Sequence, residues 1–214
     1  MIPGLLVMVG VSAVLAMIGE ERGPRWLVYV WKPATTVMIL AIAVFGDPGT
    51  GRYQLLIAVG LVASLAGDVF LMLPSDRFVA GLVSFLAAHL AYLTAFATPP
   101  GGRSAWLVLG VLVLVGGAVL CVLWPGLGQL RGPVSGYVAV ILAMAWMATT
   151  RWLQMPSGVT AAAAGGALLF VASDTLLALD RFRRRFAFAR AWVLATYYTA
   201  QTLIALSVPG LRGG

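Results

Sequence analysis

Two aspartates lie inside runs of residues apolar enough to cross a bilayer. Asp68 sits in residues 64–78, SLAGDVFLMLPSDRF, and Asp174 in residues 170–182, FVASDTLLALDRF. A charge near the centre of a membrane helix costs roughly 2.5–3.5 kcal/mol or more, so an acid kept there is expected to have work to do. The second stretch echoes the first. Asp174 aligns with Asp68, Leu177 with Leu71, Leu179 with Leu73, and Asp180-Arg181-Phe182 with Asp76-Arg77-Phe78. Two carboxyls sharing an apolar site favour a state with one protonated and one ionised. Such a pair suits acid–base hydrolysis through a cation-like transition state, as in glycosidases. The plainer alternative is a neutral Asp that only hydrogen-bonds one helix to another.

The remaining acids, Glu20, Glu21, Asp47, Asp76 and Asp180, fall at span ends or in loops. Other polar groups share the half of the chain that holds the two buried acids. Ser64 is one turn from Asp68 on the same helix face. Lys32 is expected to open a helix and either snorkel to the interface or meet a phosphate or an Asp. His89, the only histidine, has Phe85 and Tyr92 one turn away on either side, and packing alone would explain it. Tyr197 and Tyr198 precede Gln201 by one turn and lie too deep for an interfacial belt. Ser173 adjoins Asp174 but projects about 100° away from it. No HExxH, CxxC or GxSxG pattern occurs, and a single histidine cannot build a multi-histidine zinc site. No metal and no cofactor are expected.

These residues need a scaffold, and the composition says which kind. Of 214 residues 61% are hydrophobic and 10% charged, with mean hydropathy +0.99. Soluble domains carry about 25% charged residues, so the chain reads as an integral membrane protein. An all-α bundle is expected, a single transmembrane domain over residues 1–214. About eight spans fit, over residues 3–19, 31–45, 53–73, 78–97, 105–124, 133–150, 160–179 and 189–208. Lys32-Pro33 would start the second, Pro74 would end the third, and Pro125-Gly126 would end the fifth. Each buried Asp would then lie five residues before its helix end, about 8 Å below the bundle surface. Cys121 lies mid-helix and alone, which excludes an internal disulfide. The first apolar run lacks a basic start and a cleavage site and is expected to be retained.

Charge sets the expected orientation. Ten of the fourteen basic residues fall in the odd-numbered loops, many of them in RFRRRFAFAR, and only Arg52, Arg103, Arg151 and Arg212 fall opposite. The odd loops are therefore expected in the cytoplasm, with both termini outside. A net charge of +7 spread this way orients helices and does not point to nucleic acid as a partner. The echo suggests that residues of spans 1–4 and 5–8 form a parallel 4+4 repeat offset by about 105 residues. Two protonatable acids in such a bundle also suit a proton-coupled small-molecule transporter, or a lipid-binding protein held together by the Asp pair.

At these residues the chain resembles the lysoplasmalogenase (YhhN-like) family of membrane proteins. The resemblance rests on Lys32-Pro33, SLAGDVFLMLP, GLVSFLAAHLAYLTAF, GALLFVASDTLLALDRF and TYYTAQTLIALS, in that order along the chain. It implies hydrolysis of the vinyl ether of a lysoplasmalogen, giving a fatty aldehyde and glycerophosphoethanolamine or glycerophosphocholine. One of Asp68 and Asp174 would be the general acid. The other would stabilise the cation and activate water. Lys32 would take the head-group phosphate. Ser64 is placed with the substrate-binding groups, and His89, Tyr92, Tyr197, Tyr198 and Gln201 would orient the acids, the water or the glycerol hydroxyl. The partners implied are a lysophospholipid substrate and the bilayer. The Ala-, Gly- and Arg-rich composition points to a bacterial cytoplasmic membrane, with the site toward the cytoplasmic leaflet.

Overall fold

The computed structural model describes residues 2–45, 51–75, 77–99 and 101–208. The turn expected at Gly46-Asp47-Pro48-Gly49, Asp76 of the first motif, Pro100 and Arg212 lie outside the described residues. The chain is helical as expected, and no strand occurs among the described residues. Its helices are α1 (Ile2–Glu21), α2 (Arg25–Val44), α3 (Gly51–Met72), α4 (Phe78–Phe96), α5 (Gly102–Leu127), α6 (Arg131–Gln154), α7 (Gly158–Phe182) and α8 (Ala189–Ala205). Six helical stretches are long and apolar enough to cross a membrane: α1 to α4, α7, and one run over residues 102–154. By length and composition this is fewer than the eight crossings expected. α5 and α6 are joined without a break in helical structure, and α8 has only 17 residues.

The 102–154 run is not straight. A short 3₁₀ turn, Gly128–Leu130, interrupts it at Gly128, whose φ of 51° only glycine adopts readily. The chain then folds back, so that Trp146 Nε1 in the second half of α6 donates to the Ala105 carbonyl at the start of α5, at 2.8 Å. The expected stop at Pro125-Gly126 is wrong. α5 runs through Pro125 to Leu127. An interior proline removes one backbone hydrogen bond, whereas the positive φ at Gly128 redirects the chain.

Small residues let helices approach closely, as lipid-embedded packing requires. On α3, Gly60 and Gly67 lie seven residues apart and receive Tyr92 and Phe85, which lie seven apart on α4. A side chain at Gly60 would collide with the Tyr92 ring, and a Cβ at Gly67 would come within 2.6 Å of the Phe85 ring. The third rung is reversed: Gly81 of α4 receives Leu71 of α3. These three rungs hold α3 antiparallel to α4 and present Asp68, next to Gly67, at a fixed height. Between α7 and α8 the approach is to backbone: a Cβ on Gly166 would lie 2.8 Å from the Ala200 carbonyl oxygen. The faces turned away from these contacts are apolar; Leu114 of α5 is 76% exposed and Val7 of α1 is 67% exposed.

Two further expectations about position need correcting. Lys32-Pro33 does not open the second helix. α2 begins at Arg25, Pro33 lies inside it, and Lys32 is 6% exposed. The aspartates are not equally placed along their helices either. α3 stops four residues after Asp68, just before Pro74, whereas α7 continues eight residues beyond Asp174, through Asp180-Arg181-Phe182. The helix remaining beyond each acid is thus about 6 Å and about 12 Å. The echo also ends in contact: Phe78 and Phe182 meet edge to face at 5.4 Å between ring centroids, with Arg181 over the Phe78 ring.

A methyl at Gly166 would meet the Ala200 carbonyl oxygen and the Ile204 backbone nitrogen as well as the Ile204 side chain, so turning that side chain alone does not make room. Gly166→Ala is therefore expected to lower the thermal midpoint of the detergent-purified protein by roughly 2–8 °C, the effect of a mild overpacking of about 1–3 kcal/mol. Gly110→Ala, which faces open space, serves as the comparison and should leave the midpoint unchanged or slightly raised in the same fluorescence melt.

Candidate active site

One cavity of about 720 Å³ reaches both aspartates. Its walls come from one end of each contributing helix: the C-terminal turns of α1, α3 and α7 and the N-terminal halves of α2, α4 and α8. No residue from the opposite half of these helices lines it. The cavity is thus open toward one end of the bundle and blind below the acids. Arg25, Arg77 and Arg185 stand at its mouth, and Lys32, Asp68, Asp174 and Tyr197 lie deeper.

Asp68 is 2% exposed. Its Oδ2 accepts from Thr36 Oγ1 of α2 at 2.6 Å and from the Tyr197 hydroxyl of α8 at 2.8 Å. Lys32, one turn before Thr36 on α2, is close enough for its charge to act on Asp68. The same ammonium lies 3.9 Å from Glu20 Oε1, and Glu20 Oε2 accepts from Arg190 at 3.3 Å. Next to this chain of charges, Glu21 accepts the backbone N–H of Ala191 at 3.0 Å. It satisfies a donor in the first turn of α8, a helix with no side-chain cap of its own. The end of α1 and the start of α8 are thereby tied beside the cavity.

Asp174 is met from different helices. The Tyr137 hydroxyl of α6 donates to its Oδ2, and His89 Nε2 of α4 lies 3.9 Å from the same oxygen. The Asp174 side chain is 17% exposed, so it is more open than Asp68. His89 is fully buried, and neither ring nitrogen has a hydrogen-bond partner. Its ring stands edge to face with Phe170 at 4.6 Å and with Tyr137 at 5.2 Å. Phe170 and Phe85 in turn pack edge to face with Tyr197, at 5.5 and 5.7 Å. A continuous set of aromatic rings therefore joins the partner of Asp68 to the partners of Asp174.

Ser64, Tyr92, Tyr198 and Gln201, also singled out from sequence, lie away from the cavity wall. The Tyr92 hydroxyl donates to Gln201 Oε1 at 2.7 Å, and both residues are fully buried, as is Ser64. Tyr198 donates to the Lys32 carbonyl at 3.4 Å. Ser173, expected to point elsewhere, does: it donates to the Val193 carbonyl at 3.0 Å while also lining the cavity. Sequence reasoning missed Thr36, Tyr137, Phe170 and Glu20. Tyr137 was the most findable, as the one tyrosine in the fifth and sixth spans. Thr36 gives no such signal, because a threonine in a membrane helix usually bonds its own backbone. Among the described residues, no three His, Cys, Asp or Glu side chains form a group that could hold a metal.

The comparisons with known proteins agree with this layout in extent. Residues 27–208 match the YhhN family. The chain is 31% identical over 197 residues to the membrane protein YhhN of Escherichia coli O6:H1, covering 92% of this chain and 94% of that one. It is 38% identical over 162 residues to the lysoplasmalogenase TMEM86A of Bos taurus, covering 71% of this chain and 64% of the relative. To the lysoplasmalogenase TMEM86B of Sus scrofa it is 36% identical over 191 residues, with 86% and 76% covered. No solved structure matches the chain. The matched region contains every helix that lines the cavity except α1, and on that evidence the chain belongs to the YhhN family of membrane proteins.

Proposed function

We propose that this protein is a membrane lysoplasmalogenase that hydrolyses the vinyl ether of a lysoplasmalogen by carboxylate acid–base catalysis. The observation that carries the reading is one cavity, basic at its mouth, with both Asp68 and Asp174 on its wall. Relatives named lysoplasmalogenase support the substrate class. In the proposed reaction one aspartic acid protonates the outer alkenyl carbon. The ether oxygen shares the resulting charge as an oxocarbenium ion. The other aspartate removes a proton from water as that water adds to the cationic carbon, giving a hemiacetal. Collapse breaks the bond to the glycerol oxygen, which takes up the proton held by the base. The hemiacetal hydroxyl returns its proton to the first acid, and the products are a fatty aldehyde and the glycerophospho-alcohol.

Each partner has a role in this scheme. Thr36 and Tyr197 hold one oxygen of Asp68, and Tyr137 holds one oxygen of Asp174. Arg25, Arg77 and Arg185 at the mouth suit the phosphate, with Lys32 deeper. Ser64, Tyr92 and Gln201 support the floor, Tyr198 braces α2 through the Lys32 carbonyl, and His89 limits the movement of Asp174. The transporter alternative finds no support among the named relatives.

The topology proposed with this function is eight crossings. α5 and α6, of 26 and 24 residues, fold back on each other. α8 rises about 25 Å, near the thickness of a hydrocarbon core of about 30 Å. A parallel 4+4 relation draws support from the neighbours of the two acids. Asp68 of α3 accepts from α2 and α8, and Asp174 of α7 accepts from α6 and lies near His89 of α4, each counterpart helix four places away in the chain order. The basic loops support a cavity mouth on the cytoplasmic side.

Aldehyde release from a purified lysoplasmalogen substrate tests the chemistry. Asp68→Asn and Asp174→Asn should each lower kcat by about 10²–10⁴-fold while melting like the parent. Activity retained in both would end the two-carboxylate mechanism. Tyr137→Phe, which keeps the ring but removes the donor to Asp174, should lower kcat by about tenfold or more with a smaller change in KM. For orientation, Arg185→Cys in a Cys121→Ser background should react with an impermeant maleimide in inverted vesicles and not in intact spheroplasts. The reverse pattern would turn the proposed topology over.

A further inference from the structure

A second, smaller cavity of about 70 Å³ lies beside the first, between α4, α5, α6 and α7. The two share Leu71, Phe78, Phe85, Asp174 and Leu177 on their walls, whereas Asp68 lines only the larger one. The small cavity is a slot through a core of its own, formed by Leu123, Leu127 and Val134 with Val119, Val138 and Ala178 packed against them. Its polar groups are already engaged. Thr175 Oγ1 donates to the Val171 carbonyl at 2.7 Å, and the Tyr137 hydroxyl donates to Asp174. Apart from Asp174 itself, the walls are suited to hydrocarbon. Gly116 keeps one side of the slot free of a side chain, and a Cβ there would run into Leu142. At the outer edge Val115, 48% exposed on α5, carries the slot to the lipid-facing surface.

A polar, basic vestibule and a narrow apolar slot that share part of their walls, Asp174 included, are together the complement of a single-chain amphiphile. We infer that the slot between α4, α5, α6 and α7 holds the alkenyl chain of the lysolipid, so that the head-to-chain junction falls at Asp174 and Asp174 is the acid that protonates the vinyl ether. This rests on the lysoplasmalogenase reading for the identity of the bond, and on the two cavities for the placement. The head group occupies the vestibule, where the arginines at the mouth meet its phosphate. Asp68, absent from the slot and bound by Thr36 and Tyr197, faces the vestibule side of the same bond. It is the carboxylate that activates water. A second acyl chain on the glycerol would have to lie among charged groups, which gives a physical reason for one-chain lipids to be preferred. A chain longer than the slot passes Val115 into the bilayer, so chain length beyond the slot should matter little.

Photolabelling of the full-length protein in nanodiscs tests the placement without requiring turnover. The probes are saturated 1-O-alkyl lysophosphatidylethanolamines, which carry no vinyl ether to hydrolyse, with a diazirine either in mid-chain or beside the ether. The mid-chain probe should label α5 and α6 near Val119, Leu123 and Val138, and Ala178→Phe should reduce that labelling about tenfold without lowering the melting midpoint. The probe beside the ether should label Asp174 in preference to Asp68. Labelling spread along the lipid-facing surface, placed on α1 or α8, unaffected by Ala178→Phe, or absent would overturn the slot assignment. Preferential labelling of Asp68 would overturn the choice of acid. Aldehyde release by the parent, measured separately, distinguishes the two readings. Slot labelling without aldehyde release keeps the binding site and removes the reaction, and aldehyde release with labelling elsewhere does the opposite.

Discussion

A carboxyl group inside a membrane bundle must be met by donors, because neither lipid nor neighbouring leucines can solvate it. This requirement organises the centre of the molecule. Asp68 draws a threonine from α2 and a tyrosine from α8; Asp174 draws a tyrosine from α6 and brings a histidine of α4 near. Three helices are tied at Asp68 and two at Asp174, with α4 close beside the second. The donors are phenols and a hydroxyl rather than cations, so the acids are hydrogen-bonded without being permanently neutralised. An Asp locked to a single arginine would be a structural pair with little left to do.

Close approach makes these bonds possible. The Gly60, Gly67 and Gly81 rungs bring α3 against α4, and Gly166 brings α7 against the backbone of α8. Larger residues at Gly60 and Gly67 would run into the Tyr92 and Phe85 rings, and one at Gly166 into α8, the helix that carries Tyr197. The aromatic set of Phe85, Phe170, His89 and Tyr197, packed edge to face, then joins the partner of Asp68 to the neighbour of Asp174.

Charge at the mouth is arranged differently from charge at depth. Lys32 is drawn to Glu20, and Glu20 is shared with Arg190. The deep lysine is thus balanced within the protein, while Arg25, Arg77 and Arg185 line the entrance. In the proposed function this leaves the phosphate to be recognised where water and the lipid head groups are, and keeps a strong anion from the layer of the aspartates.

Much of this was legible from residue types. The apolar composition dictates a helical membrane protein, since every backbone group must be satisfied within the segment that carries it. Asp68 and Asp174 stand out for the same reason, and their shared motif marks them as a pair. Helix ends were read less well where proline was taken as a boundary, a start at Pro33 and a stop at Pro125: both lie within helices, because each costs one backbone bond that long neighbouring turns tolerate. Depth was misjudged for the same cause, since α7 lacks the proline that ends α3 and carries on past Asp174. What no linear pattern could decide is which helices meet which acid. Donor contacts such as Tyr197 to Asp68, 129 residues apart, and Tyr137 to Asp174, 37 apart, depend on how eight similar apolar cylinders pack. Nor could it decide that Asp174 borders two cavities and Asp68 one. The sequence by itself determined the solvent, the element type and the two acids, because each follows from local chemistry. The tertiary structure decided their partners and their surroundings, because cavities exist only between helices.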